Sequence, residues 1–212
     1  MSLDFTLLPL DKGKALRYLG YDGAPDVVTA GLLARAEEMV LQIAEPRATW
    51  RQCGLERPGN ALRLAGSSVL LTGADIRRHL NGCISCIVLA VTLGFEVEQA
   101  LRRAMAQDMA FATMLDAACD VAVEQIAKRV QDAAAVPNSC MTTRFSPGYG
   151  DLPLAAQHDI CCFLDTARQI GLSVTPAHIL TPRKSITALI GLSGKPTTKT
   201  IHPCKLCRHD RR

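Results

Sequence analysis

Apolar and polar residues follow two different spacings along this 212-residue chain, and each spacing predicts a different kind of element. Apolar positions three and four residues apart are typical of helices. This spacing predicts helices over residues 15–19, 26–43, 73–80, 95–134 and 154–170. The stretch 95–134 is long enough to form two or more helices, and the spacing within it predicts a core-facing stripe of Met114, Ala118, Val121, Ile126 and Val130. Asp26 is placed to cap the second predicted helix, whose apolar stripe is expected to begin at Val27, and Gly171 is placed to end the last helix.

Apolar and β-branched runs between these helices predict strands. The runs cover residues 49–55, 61–64, 84–92 and 185–192, with shorter ones at 68–71 and from Val174. The apolar run 5–10 is either a strand or an arm. The run 84–92 is apolar nearly throughout, which indicates a strand that is buried on both faces. Helices and strands alternate irregularly and no internal repeat is present. The pattern therefore favours an α+β or mixed α/β fold in which helices cover a small sheet.

Composition and charge divide the chain into a body and a tail. Apolar residues make up 48% of the chain and charged residues 21%, as in an ordinary globular protein. Residues 195–212 carry a net charge of +5, and because the whole chain carries +4, the rest is close to neutral. We expect a single domain over residues 1–194 and a basic, cysteine-containing tail over 195–212. A charge confined to the tail argues against a nucleic-acid partner.

Membrane and secretory classes are disfavoured by the apolar pattern. No stretch is long and apolar enough to cross a bilayer, and no basic segment precedes a long apolar run near Met1. The chain has nine cysteines, an odd number, and several lie in apolar surroundings. Such usage fits reduced thiols better than a disulfide framework. We therefore expect a cytoplasmic protein without a membrane partner.

The run from Arg144 to Pro153 holds two prolines and two glycines in ten residues. Proline fixes φ and glycine permits positive φ, so the run predicts a rigid, bent loop whose backbone is open to a ligand. Arg144 offers a planar donor fork that suits a carboxylate. Tyr149 offers a flat ring and a hydroxyl group. The alternative is a connector between two helices that binds nothing.

Four motifs occur in order over most of the chain and together resemble a known family. The motifs are Arg17-Tyr18-Leu19-Gly20-Tyr21, Ala90-Val91-Thr92-Leu93-Gly94, Arg144-x-x-Pro147-Gly148-Tyr149 and Leu180-Thr181-Pro182-Arg183-Lys184-Ser185. They resemble the activation domain of cobalamin-dependent methionine synthase, and in particular its short, free-standing form. The resemblance implies an α+β fold with a twisted, mostly antiparallel sheet flanked by helices.

The same resemblance implies a site for S-adenosylmethionine. The residues that would bind this cofactor are Asp120, Arg144, Pro147, Gly148, Tyr149, Gly150 and Asp151. Asp120 matches an acidic position on the long helix before the loop, and Glu124, one turn further along the same face, could serve instead. Asp120 could also be an ordinary solvated or capping acid. The family's full-length form has a further tyrosine over the ligand where this chain has Gly194 to Thr198, so the resemblance implies a ligand that is held less tightly or is covered by the tail.

The implied function is the reductive methylation, and hence reactivation, of the cobalamin of a partner. The partner would be a separate corrinoid protein or a truncated methionine synthase, working with an electron donor. The cofactors would supply the reactivity, and the chain has no visible acid–base machinery of its own. The chain lacks the Asp-x-His-x-x-Gly run of a cobalamin-binding domain and is too short for a complete synthase. We therefore do not expect it to make methionine alone.

Two Cys-x-x-Cys pairs raise a different function. Cys204 and Cys207 in the tail, with His202 and His209 beside them, could bind zinc or iron, although one such pair supplies only two ligands. The tail could equally be a basic arm whose cysteines do nothing. The Cys83-Ile84-Ser85-Cys86 pair borders an apolar strand, which favours buried thiols. The alternative function is thus a non-catalytic metal-binding or assembly protein of corrinoid metabolism.

Overall fold

The computed structural model describes residues 5–137 and 139–194, which contain seven helices and eight strands. The helices are α1 (Lys12–Tyr18), α2 (Val27–Ile43), α3 (Ala74–His79), α4 (Phe95–Gln107), α5 (Met109–Ala133), α6 (Ala156–Leu164) and α7 (Thr166–Ile170). The strands are β1 (Arg47–Glu56), β2 (Ala61–Leu64), β3 (Leu70–Thr72), β4 (Ser85–Thr92), β5 (Cys140–Met141), β6 (Ser173–Val174), β7 (Leu180–Thr181) and β8 (Ser185–Ser193).

Six strands form one sheet in the order β3-β2-β1-β4-β8-β5, and all its pairings are antiparallel. Strands β6 and β7 form a separate two-stranded sheet. Strand β4 lies between two long partners and is covered on both faces, which explains its apolar run. Its alternate residues point into two separate cores, with Ile87, Leu89 and Val91 on one face and Cys86, Val88 and Ala90 on the other. The expected α+β fold with an antiparallel sheet is confirmed.

Helices cover both faces of the sheet. Helices α1, α2, α4 and α5 form one layer, and α5 lies at its centre in contact with the other three. Helices α3, α6 and α7 pack on the opposite face. The stripe predicted on the long helix is buried at every position, namely Met114, Ala118, Val121, Ile126 and Val130. The predicted helical stretch 95–134 is divided at Asp108, whose side chain accepts a hydrogen bond from Phe111 N and caps α5.

Two local expectations need correction, and one open alternative is decided. The helix predicted over 154–170 is two helices, because Asp165 adopts a left-handed conformation with φ 52°. Val27 was expected in the apolar stripe of α2 but is 89% exposed, since it is the first residue after the Asp26 cap. The run 5–10 could have been a strand or an arm, and the structure shows an arm that belongs to no strand. It is held to α5 by hydrogen bonds between the backbone of Leu8 and the side chain of Gln125.

Within residues 5–137 and 139–194, none of the helices combines the length and the apolar character needed to span a bilayer.

Candidate functional site

The loop that begins at Arg144 is fixed to the sheet at its first turn. Phe145 N donates to Leu189 O at 2.9 Å, and Leu189 N donates back to Phe145 O at 2.8 Å. The Phe145 side chain is fully buried between the sheet and the helices of the α6 layer. The loop therefore starts as an extension of β5 along β8, and its anchor places Arg144 beside the middle of β8.

Beyond Phe145 the chain folds into a tight turn that presents Tyr149. Tyr149 N donates to Ser146 O at 3.1 Å, and Gly148 N donates to Leu152 O at 2.9 Å. Gly148 has φ +87°, a conformation that side-chain-bearing residues rarely adopt. The Tyr149 ring packs edge-on against Phe145, with ring centroids 5.9 Å apart. The expectation of a bent loop with a positive φ at Gly148 is confirmed.

This loop forms one wall of a groove that we call the β8 groove. The groove has two adjoining parts that share Tyr18, Glu124, Ser185 and Ile186 as lining residues. The first, the loop compartment, has a volume of about 600 Å³ and is also lined by Arg144, Ser146, Tyr149 and Gln157. The second, the acidic compartment, has a volume of about 470 Å³ and is also lined by Glu98, Asp116, Asp120 and Lys184. The combined space is within the range of small-molecule and cofactor sites.

Arg144 and Glu124 form an ion pair where the two compartments meet. Arg144 Nη2 lies 2.5 Å from Glu124 Oε2, and the two side chains keep only 22% and 30% of their exposure. Arg144 Nη1 is buried and has no hydrogen-bond partner among the described residues. A buried donor without a partner is costly, so this nitrogen is a ready donor for a ligand carboxylate.

Lys184 joins the start of β8 to two acids of α5. Its Nζ lies 2.8 Å from Asp116 Oδ1 and 2.7 Å from Asp120 Oδ1, and the lysine side chain is only 12% exposed. Burial lowers the pKa of Lys184, but its bonds to both carboxylates outweigh burial and raise the pKa above its ordinary value. Burial raises the pKa of Asp120, and Lys184 opposes this effect only in part. Two carboxylates thus share one ammonium group in the acidic compartment.

Glu98 of α4 holds the segment that leads into β8. Its side chain is 6% exposed, and Oε2 accepts a hydrogen bond from Arg183 N at 2.8 Å. Oε1 accepts from Arg102 Nη2 at 2.8 Å. Both carboxylate oxygens are therefore occupied, and Glu98 supports the backbone beside Lys184.

A comparison with solved structures shows which fold this is. The chain aligns with a structure described as the MetH reactivation domain bound to AdoHcy, with a TM-score of 0.67 and 15% identity over 90% of this chain and 76% of that chain. The chain has the fold of the MetH reactivation domain. The family fold implied by the four sequence motifs is thereby confirmed. No protein-family model matches the chain, and no curated protein matches it.

On this reactivation-domain fold, three of the residues predicted to bind a ligand line the β8 groove, namely Asp120, Arg144 and Tyr149. Pro147 is buried within the loop, and Gly148 and Gly150 lie at its exposed turn outside the groove lining. These three residues shape the loop that presents Tyr149. Glu124, which could serve in place of Asp120, lies closer to Arg144 and lines both compartments.

Asp151 faces helix α3 and not the groove. Its carboxylate accepts hydrogen bonds from Ala74 N at 2.6 Å and from Asp75 N at 2.9 Å. The N-cap residue of α3 is Gly73, which has no side chain to cap the helix, so Asp151 supplies the cap from across the fold. Bonds to these amides, first to that of Asp75, lower the pKa of Asp151. The structure thus gives Asp151 a loop-fixing position.

Lys184, Asp116, Glu98 and Tyr18 were not identified as site residues from the sequence. Lys184 and Tyr18 lie inside two of the motifs that carry the resemblance, so a signal for them was present. Asp116 lies one turn before Asp120, on the same face of α5. Nothing local to Glu98 distinguishes it from a solvated helix residue.

The cysteine predictions divide between described and undescribed residues. Cys83 and Cys86 are buried, as expected. Among residues 5–137 and 139–194, no group of three or more His, Cys, Asp or Glu residues could hold a metal ion. Cys204 and Cys207 lie outside the described residues. His158 is exposed on α6, and its Nε2 lies 3.6 Å from Cys162 Sγ.

Proposed function

We propose that this chain binds S-adenosylmethionine in the β8 groove and supports the reductive methylation of cobalamin held by a separate corrinoid protein. The observation that carries the proposal is the Arg144–Glu124 pair beside Tyr149, on the fold of a reactivation domain that was solved with AdoHcy. AdoHcy and S-adenosylmethionine share an adenosine and an amino-acid end, so one groove can take both.

The Arg144–Glu124 pair suits the amino-acid end of the ligand. This end carries a carboxylate and an ammonium group close together. The negative group is complementary to Arg144 and the positive group to Glu124. The ligand carboxylate would take the donor fork of Arg144, including the unpaired Nη1. The ligand ammonium would take the Glu124 carboxylate. In the free protein, Glu124 takes the place of the ligand carboxylate beside Arg144, and Arg144 takes the place of the ligand ammonium beside Glu124.

Tyr149 would bind the adenosine portion in the loop compartment. Its ring orientation is fixed by edge-on contact with Phe145, which is itself buried and bonded to β8. A rigid aromatic wall of this kind provides contact area at low cost in conformational entropy. Gln157 is held at one end of the same compartment, where its Nε2 donates to His178 O at 2.8 Å.

The acidic compartment would lie beside the sulfonium centre, which joins the adenosine to the amino-acid end near the junction of the two compartments. Asp116 and Asp120 share the single ammonium group of Lys184, which leaves a local excess of negative charge. S-adenosylmethionine has a sulfonium centre and supplies the electrophilic methyl group, which a reduced cobalt centre would accept. The role of the chain's own residues is to orient the ligand and to keep the methyl-bearing side open toward a partner.

A corrinoid protein or truncated methionine synthase would present the cobalamin, and a separate donor would supply the electron. The side chains of the β8 groove would bind and orient the ligand. A methyl-transfer module needs only to bind and position its cofactors when those cofactors carry the reactive groups.

Isothermal titration calorimetry of the full chain tests this proposal. We expect S-adenosylmethionine and AdoHcy to bind at one site per chain, and L-methionine, which lacks the adenosine, to bind far more weakly. If neither adenosyl compound gives a heat of binding, the proposal is contradicted.

A further inference from the structure

Cys53 and Cys86 are direct neighbours on adjacent strands of the sheet, away from the β8 groove. Cys53 on β1 is paired in register with Cys86 on β4, and the two Sγ atoms are 3.7 Å apart. Both side chains point to the face that packs against the α6 and α7 layer. Nothing in the proposed ligand site uses this pair.

The two thiols lie in different environments. Cys86 is fully buried, whereas Cys53 on the neighbouring strand is half-buried. A hydrogen bond from the Cys86 thiol lowers the pKa of Cys53, and Arg51 on the same face of β1 adds to this effect. The same hydrogen bond and burial raise the pKa of Cys86. Cys53 is therefore the accessible, more acidic thiol of the pair, and such thiols are the ones that oxidants attack.

The strand pairing brings the two cysteines within reach of each other. Leu55 and Ile84 lie two residues beyond Cys53 and Cys86 in the same register, and Leu55 N donates to Ile84 O at 3.0 Å. Hydrogen-bonded and non-hydrogen-bonded pairs alternate along antiparallel strands, so Cys53 and Cys86 also form a hydrogen-bonded pair. Cα atoms in such pairs lie about 5.5 Å apart, within the range of roughly 4.4–6.8 Å that disulfides span. The Cβ atoms of such pairs lie up to about 5.5 Å apart, and a disulfide needs about 3.5–4.5 Å. Closing the bond from sulfur atoms 3.7 Å apart therefore draws β1 and β4 slightly together at this position.

A third thiol lies close by and offers a competing pair. Cys83 is buried, and a Cβ atom built on Gly191 would lie only 2.5 Å from Cys83 Sγ. Gly191 is in register with Cys86 on the opposite side from Cys53. The absence of a side chain at Gly191 therefore makes room for the Cys83 sulfur beside Cys86.

We propose that Cys53 and Cys86 form a redox-active dithiol that hydroperoxides convert into a cross-strand disulfide. In the first step, Cys53 Sγ attacks the peroxide and becomes a sulfenic acid, and the O–O bond breaks to release water or an alcohol. In the second step, Cys86 Sγ attacks the sulfenic sulfur, forms the S–S bond and releases water. The peroxide is reduced by two electrons, and the two thiols lose two electrons and two protons. A low-molecular-weight thiol in excess restores the dithiol by exchange.

This modification site is separate from the ligand site. Cys86 is aligned with Gly191 near the end of β8, whereas the groove reaches Thr187 four residues earlier. At about 3.3 Å per residue the separation along β8 is about 13 Å. Oxidation should therefore tie β1 to β4 and raise resistance to unfolding without changing ligand binding.

The test treats the reduced full chain with hydrogen peroxide, blocks the remaining thiols with an alkylating reagent and maps the peptides by mass spectrometry. We expect a species that is lighter by two hydrogen atoms, a linked peptide pair containing residues 53 and 86, and reversal by dithiothreitol. Cys53→Ser and Cys86→Ser should each abolish the linked pair, whereas Cys162→Ser, which changes an exposed cysteine on α6, should not.

Three results would overturn the proposal. One is a disulfide between Cys83 and Cys86 in place of the cross-strand bond. Another is oxidation of Cys53 to a sulfinic acid without any link to Cys86. The third is a Cys53 that reacts no faster than the fully buried Cys119 in the same sample.

Discussion

Arg144 Nη2 lies 2.5 Å from Glu124 Oε2, although the two residues come from different elements and are twenty positions apart in the chain. Helix α5 supplies the acid, and the anchored loop after β5 supplies the base. Each of the two groups is the natural partner for one end of a zwitterionic amino acid. The pair therefore marks where the amino-acid end of an adenosyl ligand would lie in the β8 groove.

Glu124 is expected to contribute more to binding than Asp120. Glu124 pairs with Arg144 at the junction of both compartments, whereas the Asp120 carboxylate is already bonded to Lys184 at 2.7 Å. Loss of a hydrogen bond to a charged group costs about 1.5–3 kcal/mol, so Glu124→Gln should weaken S-adenosylmethionine binding by roughly tenfold or more. Asp120→Asn should have a smaller effect. Calorimetry on both variants checks the order, and a reversed order would assign the ammonium to Asp120.

Lys184 should stabilise the fold through its two carboxylate partners. Lys184→Met leaves Asp116 and Asp120 without their shared cation and should lower the free energy of unfolding by about 2 kcal/mol at neutral pH. Lys128→Met is the matched control, because Lys128 forms an exposed pair with Asp132 on α5 and should change stability by less than about 0.5 kcal/mol. Urea unfolding measures both. Equal effects of the two substitutions would contradict a structural role for Lys184.

The difference in unfolding free energy between wild type and Lys184→Met should depend on pH, because the pKa of Lys184 is raised in the folded state. A folded-state pKa above the ordinary value of 10.5 means that the stabilisation is complete below pH 10.5 and is lost as the pH rises through the folded-state pKa. The stability gap between wild type and Lys184→Met should therefore be constant between about pH 8 and pH 10 and shrink by about pH 12. A gap that persists unchanged at the highest pH would show that packing, and not charge, is responsible.

The sequence predicted most of the fold because its strongest signals are local. The apolar run of β4, the cap at Asp26 and the buried stripe of α5 all depend on residues within a few turns of one another. The Gly148 turn was also predictable, because a glycine between proline and tyrosine suits a positive φ. These features need no knowledge of which elements become neighbours in space.

The rest of the site depends on contacts between distant parts of the chain. Asp151 caps a helix more than seventy residues earlier, and Lys184 reaches acids on α5 that lie more than sixty residues before it. Such partners are selected by tertiary packing, so a single sequence carries no spacing that predicts them. The motif containing Lys184 was visible, but its role required the position of α5 beside β8.

Gly148 gives a test of the loop itself. Gly148→Val places a β-branched residue at φ +87° and should distort the turn that presents Tyr149. Gly82→Val is a matched control, because Gly82 has φ +77°, has open space around it and lies outside the groove lining. Both variants should lose stability by similar amounts in thermal unfolding. Only Gly148→Val should weaken S-adenosylmethionine binding, and equal binding by both variants would remove the loop from the site.

The measurement that most directly tests the central claim is a calorimetric titration of S-adenosylmethionine into wild type, Arg144→Ala and Arg168→Ala. Arg168 is the matched control, since it forms an exposed ion pair with Asp165 on α7. Loss of a charge-assisted pair costs about 2 kcal/mol, which corresponds to roughly a thirtyfold weaker dissociation constant for Arg144→Ala. The account predicts one site per chain in wild type and in Arg168→Ala, with that loss confined to Arg144→Ala. A folded Arg144→Ala that binds as tightly as wild type, or a wild type that does not bind, would contradict it.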